Sequence, residues 1–151
     1  MRFQQIKELL HYLEQVHHQL GLCYRRLSNQ VDSERSRMLL VYLQGREDAA
    51  SAHLHEYAAQ LGEAVRETWL EQGFSEDMLP AITGCELPAS AQTGEILALV
   101  CRWEEQLVGE LGHLARECPT PATATMLDNL AALEQTRLHR LVHGVHRLDD
   151  M

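Results

Sequence analysis

Four polar residues, His17, Glu47, Glu104 and Glu134, fall on helical registers otherwise filled by apolar side chains, and Arg137 follows the last by three positions. On the inward face of helices, three carboxylates and an imidazole would form a carboxylate centre inside a protein core. Arg137 shares a helix face with Glu134 and could neutralise acids there through forked hydrogen bonds. Such residues are rarely buried alone. A buried charge without a partner costs several kcal/mol (about 3–5), so the pattern demands compensation.

Other chemistry-bearing residues carry weaker patterns. His139, His143 and His146 are spaced to share a helix face. Three such histidines can take up zinc or nickel, but near a helix C-terminus they read first as an exposed polar stripe. His53 and His55 cannot share a face, and His11, His18 and His113 read as surface. The cysteines at 23, 85, 101 and 118 have no CxxC spacing and read as reduced thiols, with disulfides as the alternative. Cys101 and Cys118 lie on a core-facing helix as packing residues. No Gly-rich phosphate loop, nucleophile elbow or HExxH motif occurs.

The elements that must position these residues are helices. Leu, Ala, Glu, Gln and Arg dominate between two breaks, one rich in Gly, Pro and Ser at 73–94 and one around 119–121. Strand-like alternation is absent. The pattern predicts helices over about 2–29, 33–64, 93–117 and 121–149. Asp32 or Ser33 is expected to cap the second, Thr93 the third, and Thr120 before Pro121 the fourth. Short turns make two antiparallel hairpins, 2–64 and 93–149. The crossover 65–92 is long enough to run the length of a bundle, and its Trp69, Phe74 and Met78-Leu79 suggest a short helix. One domain over 1–151 is expected.

The seams read Ile6, Leu10, Leu13, His17, Leu20, Tyr24, Leu27; Leu40, Leu43, Glu47, Ala50, Leu54, Tyr57, Leu61; Leu97, Val100, Glu104, Leu107, Leu111, Leu114, Cys118; and Leu127, Leu130, Glu134, Arg137, Leu141, Gly144, Leu148. Steps of four and three alternate, as on a packed bundle helix. The polar residue stands at a similar height in every helix, roughly 21–24 Å from its hairpin turn. The separations 17 to 47 and 104 to 134 are both 30 residues, and a shift of 87 lays the first hairpin on the second. This register reads as a duplicated hairpin with pseudo-twofold symmetry.

On these residues the chain resembles the ferritin-like superfamily, and within it the rubrerythrin-type carboxylate bundles. The resemblance implies an all-α, ferritin-like four-helix bundle of two antiparallel hairpins joined by a long crossover. Those bundles hold two metal ions with a Glu on each of two helices and a Glu-x-x-His on each of the other two. His17 then stands at the lone Glu of the first hairpin and Glu104 at that of the second. Glu47 and Glu134 match the Glu of each Glu-x-x-His, while Ala50 and Arg137 stand where the histidines belong. The metal ligands implied are His17, Glu47, Glu104 and Glu134. The site is degenerate, with Arg137 as the charge partner when no metal is bound.

Two functions are carried forward. The first is a non-catalytic bundle with a salt-bridged polar core and no cofactor, acting by oligomerisation or partner binding. The alternative is an iron- or manganese-binding protein of redox or oxygen chemistry using the core carboxylates. A net charge of −9 argues against gripping nucleic acid or an anionic membrane through bulk charge. No run is long enough to span a bilayer, and the N-terminus lacks a signal peptide's apolar stretch. A cytoplasmic protein is expected. Leu9, Tyr12, Val16 and Cys23 form a second apolar stripe on the first helix, and Leu39 and Tyr42 lie beyond the seam of the second. These are expected to pack on the crossover or on another copy, and a homodimer is anticipated.

Overall fold

Apolar residues at alternating steps of four and three wind onto one side of a helix, and residues 6–27 follow that rule without a lapse. In a computed structural model, which describes residues 4–149 with side chains through Val145, they form α1 (Ile6–Ser28). Its whole seam is buried: Ile6, Leu10, Leu13, His17, Leu20, Tyr24 and Leu27. Residues 2 and 3 of the expected helix, and the side chains of His146 and Leu148, lie outside the described residues.

α2 (Glu34–Gln60) packs along α1 as the first hairpin. Ser33 caps it, its hydroxyl oxygen accepting the Ser36 N–H at 3.3 Å. On its seam Leu40, Leu43, Glu47, Ala50 and Leu54 are buried, while Tyr57 and Leu61 are half-buried. The helix stops short of the expected 64. The chain turns extended at Leu61 and Gly62, then makes one further turn, α3 (Glu63–Arg66). Gly21 lets the two helices approach closely. A Cβ there would stand 3.0 Å from Asp48 Oδ1 and 3.6 Å from the Cβ of Glu47.

The crossover covers the outer face of α1. Its first contact is one the sequence did not announce: β1 (Gln4–Gln5) pairs antiparallel with β2 (Trp69–Leu70), Gln4 opposite Leu70 and Gln5 opposite Trp69. The Ile6 N–H extends the clip by donating to the Thr68 carbonyl at 3.0 Å. Strands of two residues show no alternation, which is why none was expected. Beyond them α4 (Met78–Thr83) packs on α1, with Leu70, Phe74, Met78 and Ile82 buried. The Tyr12 hydroxyl donates to the Ser75 carbonyl at 2.9 Å, and its ring centroid lies 5.5 Å from that of Phe74. Of the two expected covers for Leu9, Val16 and Cys23, all buried, the crossover is thus one that the structure supplies.

The end of the crossover is tied to the start of α2. The Asp32 N–H donates to the Ala89 carbonyl, and the Ser36 hydroxyl to the Ala91 carbonyl, each at 2.8 Å. Ser36 and Ala91 are fully buried. Ser36→Ala is therefore expected to cost about 1–2 kcal/mol in denaturant unfolding, because it removes a buried donor from a carbonyl. An unchanged midpoint would show that the bond contributes nothing.

The chain divides into two compact units between Ile96 and Leu97. The second holds most of α5 (Thr93–Arg116) and all of α6 (Pro121–Asp149). Thr93 lies inside the first turn of α5 and not at its cap. The Glu95 and Ile96 N–H groups donate to the Gln92 carbonyl, and the Glu95 carboxylate takes the Gln92 N–H at 3.3 Å, half of a capping box. At α6 the expected cap is present, since Thr120 Oγ1 accepts the Thr123 N–H at 3.4 Å ahead of Pro121. Val100, Leu107, Leu111 and Leu114 on α5 and Leu127, Leu130 and Leu141 on α6 are buried. Among the described residues no helix is long and apolar enough to cross a membrane.

Candidate functional site

In the first unit α1 carries His17 and α2 carries Glu47, each fully buried at mid-helix. The close approach at Gly21 brings these two levels together. His17 Nδ1–H donates to Glu47 Oε2 at 2.6 Å. The short distance and complete burial mark a charge-assisted bond, stronger than its surface equivalents. Arg46 reaches the other carboxylate oxygen, Nη1 to Oε1 at 3.4 Å, with only 11% of its side chain exposed. Both oxygens of Glu47 thus accept from N–H groups. Sequence reasoning found His17 and Glu47 from their register but missed Arg46. Adjacent helical residues do not face each other, and only the length of the arginine stem folds the guanidinium back.

In the second unit Glu104 on α5 is 1% exposed and Glu134 on α6 is 7% exposed. Arg137 turns inward to Glu134, Nη1 to Oε2 at 3.0 Å, and its side chain remains only 22% exposed. The guanidinium therefore sits on an acid in the seat where the resemblance places a histidine. His139 and His143 are exposed, as a polar stripe requires. His55 is a surface residue whose Nδ1 meets Glu14 Oε1 at 3.0 Å.

Two hairpins joined by a crossover, with acids buried at mid-helix, define the fold as ferritin-like. The comparison with solved structures agrees. Over 95% of both chains the fold is similar to that of a Thermotoga maritima protein whose crystal structure is described as that of a proposed ferritin-like diiron-carboxylate protein, at a TM-score of 0.57 and 12% identity. No family model and no curated protein matches the sequence.

A two-metal centre of the kind this fold can host takes two lone carboxylates and two Glu-x-x-His pairs. The residues here do not fit it. Ala50 offers no donor atom, and Arg137 is permanently cationic. Glu134 already accepts from that cation, and both oxygens of Glu47 are occupied by hydrogen bonds. Among the described residues, no group of three or more His, Cys, Asp or Glu side chains gathers at ligating range within either unit.

Proposed function

We propose that this protein is a non-catalytic ferritin-like bundle whose buried acids are neutralised by its own basic side chains, and that it acts by association with protein. The buried His17–Glu47 bond supports this reading most directly, because it commits the acid to an internal donor. Arg137 on Glu134 repeats that arrangement in the second hairpin. The reading assigns the protein to the cytoplasm and to a homodimer. The surface offered to the second copy is the outer face of α2, where Met38, Val41 and Tyr42 are 65%, 55% and 56% exposed. Glu34 and Arg37 form an ion pair at one end of this strip. A face carrying both charge signs can pair with itself about a twofold axis, Glu34 of one copy against Arg37 of the other.

The test is elemental analysis of untagged protein purified without chelator, before and after loading with Fe(II), Mn(II) or Zn(II). Less than about a tenth of an equivalent is expected, since deprotonated, unengaged ligands are needed to hold metal. One to two equivalents, lost in Glu47→Ala/Glu134→Ala, would overturn the reading in favour of iron- or manganese-dependent redox chemistry. Sedimentation equilibrium tests the association. Dimers that Tyr42→Glu converts to monomers are expected, and a monomeric wild type would sink the proposed face.

A further inference from the structure

Cys23 and Cys85 are separated by 62 residues and share no periodic pattern, yet one guanidinium nitrogen of Arg26 contacts both the Cys23 sulfur and the Cys85 backbone, which sets the two residues side by side. Cys23 lies on the outer stripe of α1, 1% exposed, and Cys85 is half-buried just beyond α4. Arg26 holds the two segments in register. Its Nη2 donates to the Cys85 carbonyl at 2.5 Å and lies 3.9 Å from Cys23 Sγ, while Nη1 donates to the Thr83 carbonyl at 3.2 Å. One guanidinium thus fastens the chain at the end of α4 beside the buried thiol. We infer that Cys23 and Cys85 form a reversible disulfide that locks the crossover onto α1 when the protein meets a low-molecular-weight disulfide.

The geometry assigns the two sulfurs different parts. Burial, with the Cys85 thiol adding to it, pushes the Cys23 thiol up to about 11 in spite of the Arg26 guanidinium. Cys23 therefore keeps its proton at neutral pH and is shielded from solvent. Cys85, the more exposed sulfur, is the one an incoming disulfide can reach. Its thiolate attacks one sulfur of the reagent, forms a mixed disulfide and expels one thiolate. The Cys23 sulfur then gives up its proton to the expelled thiolate and attacks the Cys85 sulfur. The Cys23–Cys85 bond forms, and the second reagent thiol leaves. Two electrons pass from the protein dithiol to the reagent disulfide, which is reduced to two thiols. Closing a loop of this length constrains the unfolded chain, so the oxidised protein should be the more stable form.

The test uses the full chain carrying Cys101→Ser/Cys118→Ser, reduced and then exposed to glutathione disulfide. Intact mass is expected to fall by two hydrogens, with both thiols lost to maleimide and no retained glutathione. The melting temperature should rise by roughly 5–15 °C and return on reduction. Adding Cys23→Ser should arrest the reaction as a stable glutathione adduct on Cys85. A lasting adduct with Cys23 present, disulfide-linked dimers, or full retention of both thiols would each overturn the inference. If the double variant does not fold, the wild-type chain answers the same question. Its free thiols are alkylated after oxidation, and proteolysis that separates Cys85 from Cys101 must yield a Cys23–Cys85 linked peptide.

Discussion

Glu47→Ala is expected to lower the unfolding free energy by about 3–5 kcal/mol, the range measured when one partner of a buried pair is removed. The loss is set less by the bond itself than by what remains. His17 is fully buried, and without the carboxylate its Nδ1–H loses the acceptor it meets at 2.6 Å. A cavity of carboxylate size opens beside it as well. The companion variant His17→Leu/Glu47→Leu separates these causes. It restores the apolar seam on both helices and is expected to stay within about 2 kcal/mol of wild type, or to exceed it, because apolar replacements avoid the desolvation of a buried carboxylate and imidazole. Equilibrium denaturation of wild type, His17→Leu, Glu47→Leu and the double variant gives the coupling energy. A Glu47→Ala loss below about 1 kcal/mol would mean that the pair does not hold the hairpin together.

Ile82→Ala carries the next largest effect, about 2–4 kcal/mol, as for other fully buried aliphatic truncations. Ile82 is 0% exposed, and Met78 one turn earlier is 1% exposed, on the helix that packs against the outer stripe of α1. The damage should be local before it is global. Amide exchange is expected to quicken in residues 74–85 at temperatures where the buried centre of α2, around Leu40–Leu54, stays protected. Equal acceleration in both regions would show that the crossover is not a separately opening layer. Arg26→Gln makes an independent check, since it removes the donors to Thr83 and Cys85 without opening a cavity.

The helices were legible because each seam repeats at a spacing that only a helix satisfies, and α1 buries all seven of its seam residues. The same periodicity pointed to His17 and Glu47, for a polar residue stands out where everything around it is apolar. Legibility failed wherever a contact depends on chain folding over long distances. The pairing of Gln4–Gln5 with Trp69–Leu70 leaves no trace in either dipeptide. The Cys23–Cys85 approach has one member in an aperiodic loop. The end of α2 was overrun because Leu61 keeps the seam register after the backbone has already turned extended at that residue. Thr93 looked like a cap by residue type, yet Glu95 reaching back to Gln92 places the first turn one residue earlier.

The clip between residues 4–6 and 68–70 also sets an order of events during synthesis. A nascent chain emerging from the ribosome completes α1 and α2 before the segment that covers Leu9, Val16 and Cys23 has been made. Until residue 85 is out, that stripe faces water or a chaperone. Closing the clip joins positions more than sixty residues apart, an entropic cost met only after the hairpin exists. Chains stalled or truncated near residue 64 should therefore be the aggregation-prone species, while those reaching residue 96 carry the whole first unit and can bury it.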